Sequence, residues 1–450
     1  MLDKKEWKNL LLLIASFFFY SYWDWRFSLL LMTSTLVDFY VGKSIYEAKE
    51  KKRKKHLLWV SLLVNLGILG FFKYFNFFVD SFQSVFSTEL DFLHLSVILP
   101  VGISFYTFQT MSYTIDIYKG ELKPTNSFLD FALFVSFFPQ LVAGPIERAK
   151  SLLPQLKKRL SPSRLQIKEG INLIIMGLFR KVIIGDTSGR FVDHIFNDLY
   201  NYNSIEIAFA VLIFGIQIYA DFSGYSKIAR GVAKLLGVEL MVNFSQPYLS
   251  KNITEFWRRW HISLSSWLRD YLYIPLGGNR KGRSRTYINL MITMLLGGLW
   301  HGASWNFVIW GALHGIYLAL HKLITVSKNK SIISKNSMSL SDVPKVIATF
   351  GLVSFTWLFF RSTTWESTLM IFSKITEFQL SEYTLLFLQI LIAYYSLSFL
   401  LDYFEYKYGQ NFILKIKNKA FSYGVLTMMF AITLLYMFQA EPLPFIYFQF

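Results

Sequence analysis

The sequence of 450 residues contains no cysteine, and only 17% of its residues are charged, whereas soluble domains have about 25%. The lack of cysteine excludes thiol nucleophiles, cysteine-bound zinc, iron–sulfur clusters and structural disulfides. Proline is also scarce, at 11 residues, and the composition as a whole excludes disordered and collagen-like proteins. A nucleophile in this chain must therefore be something other than a thiol.

Hydrophobic residues make up 53% of the chain and aromatic residues 18%. Residues 9–41 carry only three charges in 33 positions, and a soluble fold could not hide such a run. The net charge of +17 would suggest nucleic-acid binding in a soluble protein. Here the basic residues form blocks between apolar runs, as in cytoplasmic loops of membrane proteins. We therefore predict an all-α polytopic membrane protein that does not bind nucleic acid.

About eleven membrane spans are predicted from the apolar runs. The first is uncleaved, since no small-residue cleavage site follows it. The others are at residues 27–41, 57–79, 95–115, 171–184, 205–220, 287–300, 305–323, 346–360, 385–401 and 421–438. Residues 128–143 run into the sequence FPQLVAGP at 138–145 and are predicted to be re-entrant, because proline and glycine break the backbone there.

The charge of the linkers predicts the topology. Five linkers are basic and are expected in the cytoplasm: residues 49–55, 148–168, 227–285, 322–335 and 407–419. Alternation from them places the N-terminus in the cytoplasm and the tail, residues 440–450, outside. We find no internal repeat, and we expect one membrane domain over residues 1–450.

Residues 253–271 have the pattern of one amphipathic helix at the cytoplasmic interface. Its tryptophans share one face, and its arginines lie opposite. His261 falls at the border of the apolar face. A lone histidine in such a position often simply tolerates an interface, and that interpretation stays open beside a functional one.

A second histidine is predicted to stop inside the membrane. The span at 287–300 rises only about 21 Å, short of the roughly 30 Å of hydrocarbon, and His301 follows it directly. An ionisable group at that depth is a functional hypothesis, although it could be a structural histidine bonded to a carbonyl. Ser304 or Asn306 could hold its ring. His314 and His321 lie seven residues apart, but no further ligand completes a metal or haem site, so we predict no metal.

The loop YIPLGGNRKGRSR at 273–285 is glycine-rich and basic, but its spacing matches neither a P-loop nor a dinucleotide fingerprint. It is either a topology anchor or a clamp for phosphates. If an acyl donor enters from the cytoplasm, its phosphates would be held by some of five arginines: Arg258, Arg259, Arg280, Arg283 and Arg285.

Several motifs in one order resemble the membrane-bound O-acyltransferase family, in particular its branch of alginate and peptidoglycan O-acetylation. They are FPQLVAGPIER at 138–148, DFSGYS at 221–226, FWRRWHISLS at 256–265, YIPLGGNR at 273–280 and GGLWHGA at 297–303. The likeness covers about residues 100–321. Lys227 and Arg230 depart from it, because acidic and small residues are expected after DFSGYS.

The resemblance implies a many-helix fold around a central funnel, with His301 essential and His261 a second active-site residue. The ending FIYFQF at 445–450 also resembles an aromatic hexapeptide of some acyl-transferring membrane proteins, whose tyrosine is proposed to carry the acyl group. That makes Tyr447 the candidate acceptor. The alternative is that the tail is only an interfacial anchor.

We therefore expect an enzyme of the bacterial cell membrane that moves an acetyl group from cytoplasmic acetyl-CoA toward hydroxyls of a cell-surface polysaccharide. Acetyl-CoA would be a substrate rather than a tightly bound cofactor. A serine-type acetyltransferase outside the membrane would be the partner that completes transfer. The alternatives are a D-alanyl or lipid-directed acyltransferase and, from another class, a transporter or flippase, which would favour paired repeats.

Overall fold

The computed structural model describes residues 4–88, 90–142, 144–158, 161–326, 339–362, 364–441 and 443–448. All regular secondary structure in these ranges is helical, which confirms the predicted all-α class. Six helices are long and apolar enough to cross a membrane: Lys51–Phe86, Ser204–Leu235, Trp305–Thr325, Leu340–Arg361, Thr384–Tyr408 and Lys419–Gln439. Each contains one of the predicted spans, and helices also cover most of the other five.

The described residues group into two compact units, Met1–Gly170 with Ala229–Met241, and Ile171–Ile228 with Val242–Phe450. The borders at 170/171 and 228/229 fall inside helices, and the border at 241/242 falls in the loop after α11. The single domain at 1–450 remains a prediction. The helices of the first unit are α1 (Lys4–Ser21), α2 (Trp25–Glu47), α3 (Lys51–Leu69), α4 (Phe75–Phe86), α5 (Ile103–Tyr118), α6 (Phe128–Ser136), α7 (Phe138–Leu141) and α8 (Ala149–Leu156). The helix α9 (Arg164–Leu178) crosses the first border.

The second unit contains the remaining helices, except that the end of α11 belongs to the first. They are α10 (Thr187–Phe196), α11 (Ser204–Leu235), α12 (Ile253–Arg259), α13 (Ile262–Leu268), α14 (Arg283–His301), α15 (Trp305–Val326), α16 (Val343–Arg361), α17 (Trp365–Ser373), α18 (Thr384–Tyr408) and α19 (Lys419–Gln439). A π-helical segment, Phe179–Asp186, continues α9.

A buried polar network joins three helices of the first unit. Asn65 of α3 donates to Asp38 of α2 at 2.9 Å, and Ser61 donates to the same carboxylate at 2.5 Å. Thr110 of α5 donates to the Asn65 amide oxygen at 3.1 Å. These bonds satisfy polar groups that would otherwise be costly to bury among apolar helices.

The segment predicted to be re-entrant is α6 followed by α7, with a break at Phe137. The nine residues of α6 rise about 14 Å, too little to cross a bilayer. Residues 131–137 are buried, so this broken backbone is enclosed by protein as the prediction requires. Ala143, within the motif, lies outside the described residues, as do residues 327–335 of one predicted cytoplasmic linker.

Several span boundaries were predicted wrongly. The span at 287–300 is α14, which begins at Arg283 and rises about 28 Å over 19 residues, and not the predicted rise of about 21 Å. The helix in the 95–115 region begins only at Ile103, because Pro100 precedes a glycine, Gly102, with a φ of +74°. The span at 205–220 continues as α11 to Leu235, so the DFSGYS motif and the start of the predicted linker 227–285 lie on a helix. Apolar content marks only the part of a helix that faces apolar surroundings, and α11 continues into a region of buried charges.

Candidate active site

His301 is the last residue of α14, and its side chain is buried among aromatic rings. The ring centres of Trp300 and Trp310 are each 5.1 Å away, and that of Phe360 is 5.3 Å away. The next residue, Gly302, ends the helix in an extended conformation, and a Cβ there would clash with the Phe307 ring. The glycine therefore lets α15 pack against the helix end that carries His301.

His261 lies at a break between α12 and α13, which corrects the prediction of one amphipathic helix over 253–271. Its backbone is left-handed, with a φ of +43°, a conformation that costs a non-glycine residue about 1–3 kcal/mol and is common at functional sites. Asn243 explains the break: its carbonyl accepts from the Ile262 amide at 2.9 Å, and its side-chain oxygen accepts from Ser263 Oγ at 2.9 Å. A periodicity argument cannot detect such a distant partner.

The surroundings of His261 keep its imidazole neutral. The side chain is fully buried, and Nδ1 lies 3.3 Å from the side-chain oxygen of Asn243. His261 lies outside the six helices that could cross a membrane. Burial lowers the pKa of its ring to about 3. Since Trp260 is also fully buried, this segment forms part of the core and does not lie on a surface as predicted.

The two histidines meet at one place together with Tyr447. The ring centres of His261 and His301 are 6.2 Å apart, and Tyr447 lies 5.5 Å from His301 and 6.3 Å from His261. Phe222 packs against both His261 and Tyr447, at 4.7 and 4.5 Å. The histidines are 40 positions apart and Tyr447 follows His301 by 146 positions, and the three form one cluster of two imidazoles and a phenol.

The C-terminal tail packs into the second unit. Phe445 and Ile446 are buried, so the alternative of a tail that is only an interfacial anchor is wrong for this segment. The Tyr447 hydroxyl is buried and forms no hydrogen bond with any residue that the structure describes. Burial raises the pKa of this phenol well above its usual value of 10. It is therefore a neutral phenol, which needs a base to become a nucleophile. The last two residues, Gln449 and Phe450, lie outside the described ranges.

The DFSGYS motif contacts the tail directly, a role that the sequence did not reveal. Asp221 accepts a hydrogen bond from the Ile446 amide at 2.8 Å, and Tyr225 packs against Phe445 at 4.8 Å. Gly224 allows close approach of α9, since a Cβ there would lie 2.7 Å from the Gly177 carbonyl oxygen. The two departures from the family pattern serve elsewhere: Lys227 pairs with Glu405 at 3.0 Å, and Arg230 donates to the Leu240 carbonyl.

A cavity of about 800 Å³ lies beside the broken helix. Three cations line it, namely Arg258, Arg269 and Lys322. Ser265, also in the lining, donates to the His261 carbonyl at 3.1 Å, so one hydrogen bond connects the lining to the backbone of this histidine. Neither imidazole is among the lining residues described for it.

The five predicted arginines are not brought together at this cavity. Only Arg258 lines it. Arg259 pairs with Glu255 at 2.8 Å, and three others are exposed and absent from its described lining: Arg280, Arg283 and Arg285. Sequence reasoning missed two lining cations: Arg269, which lies in the stretch 253–271 with Arg258, and Lys322, whose Nζ donates to Asn279 at 2.6 Å.

Two residues, Ser304 and Asn306, were predicted to hold the His301 ring, and the structure describes other bonds for both. The Asn306 amide nitrogen donates to the carbonyls of Ser362 and Thr364 at 2.8 and 3.1 Å, so it ties α15 to the chain after α16. Ser304 accepts from the Val308 amide through its carbonyl, and a role for its hydroxyl stays a prediction.

The two histidines considered above as metal ligands, His314 and His321, are bonded to other side chains. His314 lies between Trp257 and Thr356, at 3.3 and 3.0 Å, and His321 bonds to Thr254 at 2.8 Å.

Comparison with known proteins gives one family. The family model described as "MBOAT, membrane-bound O-acyltransferase family" matches residues 12–365. The chain is 43% identical to the probable alginate O-acetylase AlgI of Pseudomonas aeruginosa, over 80% of this chain and 68% of that protein. It is 38% identical to the peptidoglycan O-acetyltransferase of Helicobacter pylori, over 81% and 72%. It is 27% identical to the teichoic acid D-alanyltransferase of Streptococcus thermophilus, over 58% and 68%.

Proposed function

Because this chain belongs to the membrane-bound O-acyltransferase family, we propose that it transfers an acetyl group from cytoplasmic acetyl-CoA toward hydroxyls of a polysaccharide outside the cell membrane. Membership makes the chain a multi-pass membrane acyltransferase, and the transporter alternative falls away. Acetyl is favoured over D-alanyl because the relatives named for O-acetylation have the higher identity. The cluster of His261, His301 and Tyr447 carries the proposal.

In the proposed reaction His301 is the general base. Its imidazole takes the phenolic proton of Tyr447 as the phenolic oxygen attacks the thioester carbonyl of acetyl-CoA. The tetrahedral intermediate collapses with cleavage of the carbon–sulfur bond, and the imidazolium returns the proton to the coenzyme A thiolate. The products are an acetyl ester on Tyr447 and free coenzyme A. His261, held neutral by burial, would orient or polarise the thioester.

The donor would enter through the cavity beside α12 and α13. A pantetheine arm needs a long, partly apolar passage, and the phosphates of the nucleotide need cations. The cavity has an apolar wall that includes Trp257, Leu268 and Met294, and it has three lining cations. We therefore assign the phosphate contacts to Arg258, Arg269 and Lys322. The exposed loop arginines then act as topology anchors.

A second transfer must follow. An aryl ester is a more reactive acyl donor than an alkyl ester, so the acetyl group can pass from Tyr447 to the serine hydroxyl of a partner acetyltransferase outside the membrane. That step forms a serine ester and restores the phenol. The partner would then acetylate the polymer, which the names of the two O-acetylating relatives give as alginate and peptidoglycan.

Sealed membrane vesicles of known orientation test the proposal. Acetyl-CoA labelled in the acetyl group, supplied to the cytoplasmic face, should label the enzyme and then an acceptor on the opposite face. Label supplied only to the outer face should not be transferred. Equal transfer from both faces would contradict a donor site on the cytoplasmic side. Labelled D-alanyl donor, run in parallel, should give no transfer.

A further inference from the structure

We propose that Lys181 and Asp221 are positioning residues that hold the C-terminal tail in one register and thereby place Tyr447 beside the two histidines. The inference rests on the proposed function, since the register matters only if Tyr447 reacts. Neither residue lies within the cluster of two imidazoles and a phenol.

The contacts of the tail with these residues are made through its backbone. Lys181 Nζ donates to the Leu443 carbonyl at 2.9 Å, and the Ile446 amide donates to Asp221 Oδ2 at 2.8 Å. Lys181 and Asp221 are themselves an ion pair at 3.0 Å, and Lys181 also pairs with Asp186. One carbonyl and one amide, three residues apart, are thus fixed by a pair of buried charges.

Side-chain packing alone does not define this register. The ending FIYFQF has aromatic residues at four of six positions, and a slipped tail would still offer an aromatic ring to Phe222. Ile446–Phe448 form a 3₁₀ turn, in which a slip of one residue shifts each side chain by about 2 Å and rotates it by about 120°. Tyr447 would then leave its place 5.5 Å from the His301 ring. The hydrogen bonds of the tail backbone with Lys181 and Asp221 select one register.

The tail supplies one of the two hydrogen bonds that the structure describes for the lysine. Lys181 Nζ donates to Asp186 and to the Leu443 carbonyl, and Asp221 Oδ1 lies 3.0 Å away in an ion pair. Its side chain is largely buried, at 12% exposure. Withdrawal of the tail would leave one donor of a buried charge without an acceptor, which is costly. The docked register is therefore favoured over a loose tail.

Helix α11 carries both a residue that binds the tail backbone and a residue that packs against the histidine cluster. Asp221 binds the tail backbone, and the next residue, Phe222, packs against both His261 and Tyr447. The π-helical segment places Lys181 and Asp186, five residues apart, on the same side. In a regular α-helix, neighbours on one face are three or four residues apart. The wide turn therefore helps to place Lys181, which together with Asp221 holds the tail backbone. We call these two residues the clamp.

A cysteine reporter can measure tail docking, because the chain has no other cysteine. Ile446→Cys places a single thiol at a position that is 2% exposed, and Ser354→Cys places one at an equally buried position on α16. The rate of reaction with N-ethylmaleimide is measured in detergent for each. In otherwise unchanged protein both should be slow.

Combined with Ile446→Cys, Lys181→Met or Asp221→Leu should raise the labelling rate about ten-fold or more, as expected for the loss of a charge-assisted bond. Ser354→Cys should stay slow. Lys181→Arg, which keeps the cation, and Asp221→Asn, which keeps an acceptor, should lie closer to the parent rate. Lys374→Met is the matched control. Lys374 is likewise a buried lysine that donates to backbone carbonyls, but they are those of Tyr200 and Tyr202 and not of the tail.

Unchanged labelling at position 446 in both Lys181→Met and Asp221→Leu would overturn the inference. Equal acceleration at both reporters would overturn it as well, because the fold and not the tail would have loosened. These rates do not depend on acyl chemistry. If the clamp variants release the tail but Tyr447→Phe retains full activity, the clamp stands and the acceptor role of Tyr447 fails.

Discussion

The two ends of the proposed reaction path are built differently. Around the tail, charges are buried and bonded to defined backbone atoms, as Lys181 is to Leu443 and Asp221 is to Ile446. At the cavity, the side chains of Arg258 and Arg269 are exposed and border an open volume of about 800 Å³. Fixed groups suit an acceptor that belongs to the chain and always returns to one place. Exposed cations suit a donor that must bind and leave in each turnover.

The largest effect on acetyl transfer is expected at His301, between the donor cavity and the tail in the proposed path. His301→Ala in a correctly inserted protein should reduce acetyl transfer by about 10²–10⁴-fold, the usual contribution of a general base. Binding of acetyl-CoA should change little, because the cavity lining described here does not include His301. Transfer rates and donor affinity measured on the same purified variant check this. His314→Ala is a control for loss of a buried histidine, and full activity of His301→Ala would remove the proposed mechanism.

A smaller effect, on the KM for acetyl-CoA, is expected at the cavity and would distinguish its exposed cations from the fixed charges around the tail. Arg258→Ala should raise the KM for acetyl-CoA about ten-fold with little change in kcat, as expected when a phosphate contact is lost. The effect should weaken as salt is raised. Arg283→Ala, an exposed arginine outside the described lining, should behave as the parent enzyme. The idea of a donor cavity would fail if the two variants had the same KM.

The third effect concerns the stability of the protein as a function of pH and not its catalysis. Burial lowers the pKa of His261 from 6.5 to about 3, so the unfolded state binds a proton that the folded state rejects. Stability from this group is complete above about pH 6.5 and is lost as the pH falls toward 3. His261→Asn should flatten the fall of the melting temperature between pH 6.5 and 4. A variant that keeps the full pH dependence would show that other groups cause it.

Apolar runs predicted the class of the protein and the positions of most helices, because lipid-facing and core-facing residues are similar in composition. His301 is buried at a helix end, but the span before it is not short, because α14 has 19 residues and rises about 28 Å; the depth of His301 in the membrane stays a prediction. The break at His261 could not be predicted, since it depends on hydrogen bonds to Asn243, 18 residues away. The same holds for the tail, whose partner Asp221 precedes Ile446 by 225 residues.

The most direct test is mass spectrometry of the C-terminal peptide after brief incubation with acetyl-CoA in the absence of an acceptor. An acetyl group should be found on Tyr447 of the parent enzyme, and it should be missing from His301→Ala and from Tyr447→Phe, with polysaccharide acetylation lost in both variants. An unmodified Tyr447 throughout, together with a Tyr447→Phe variant that acetylates at the parental rate, would contradict the account.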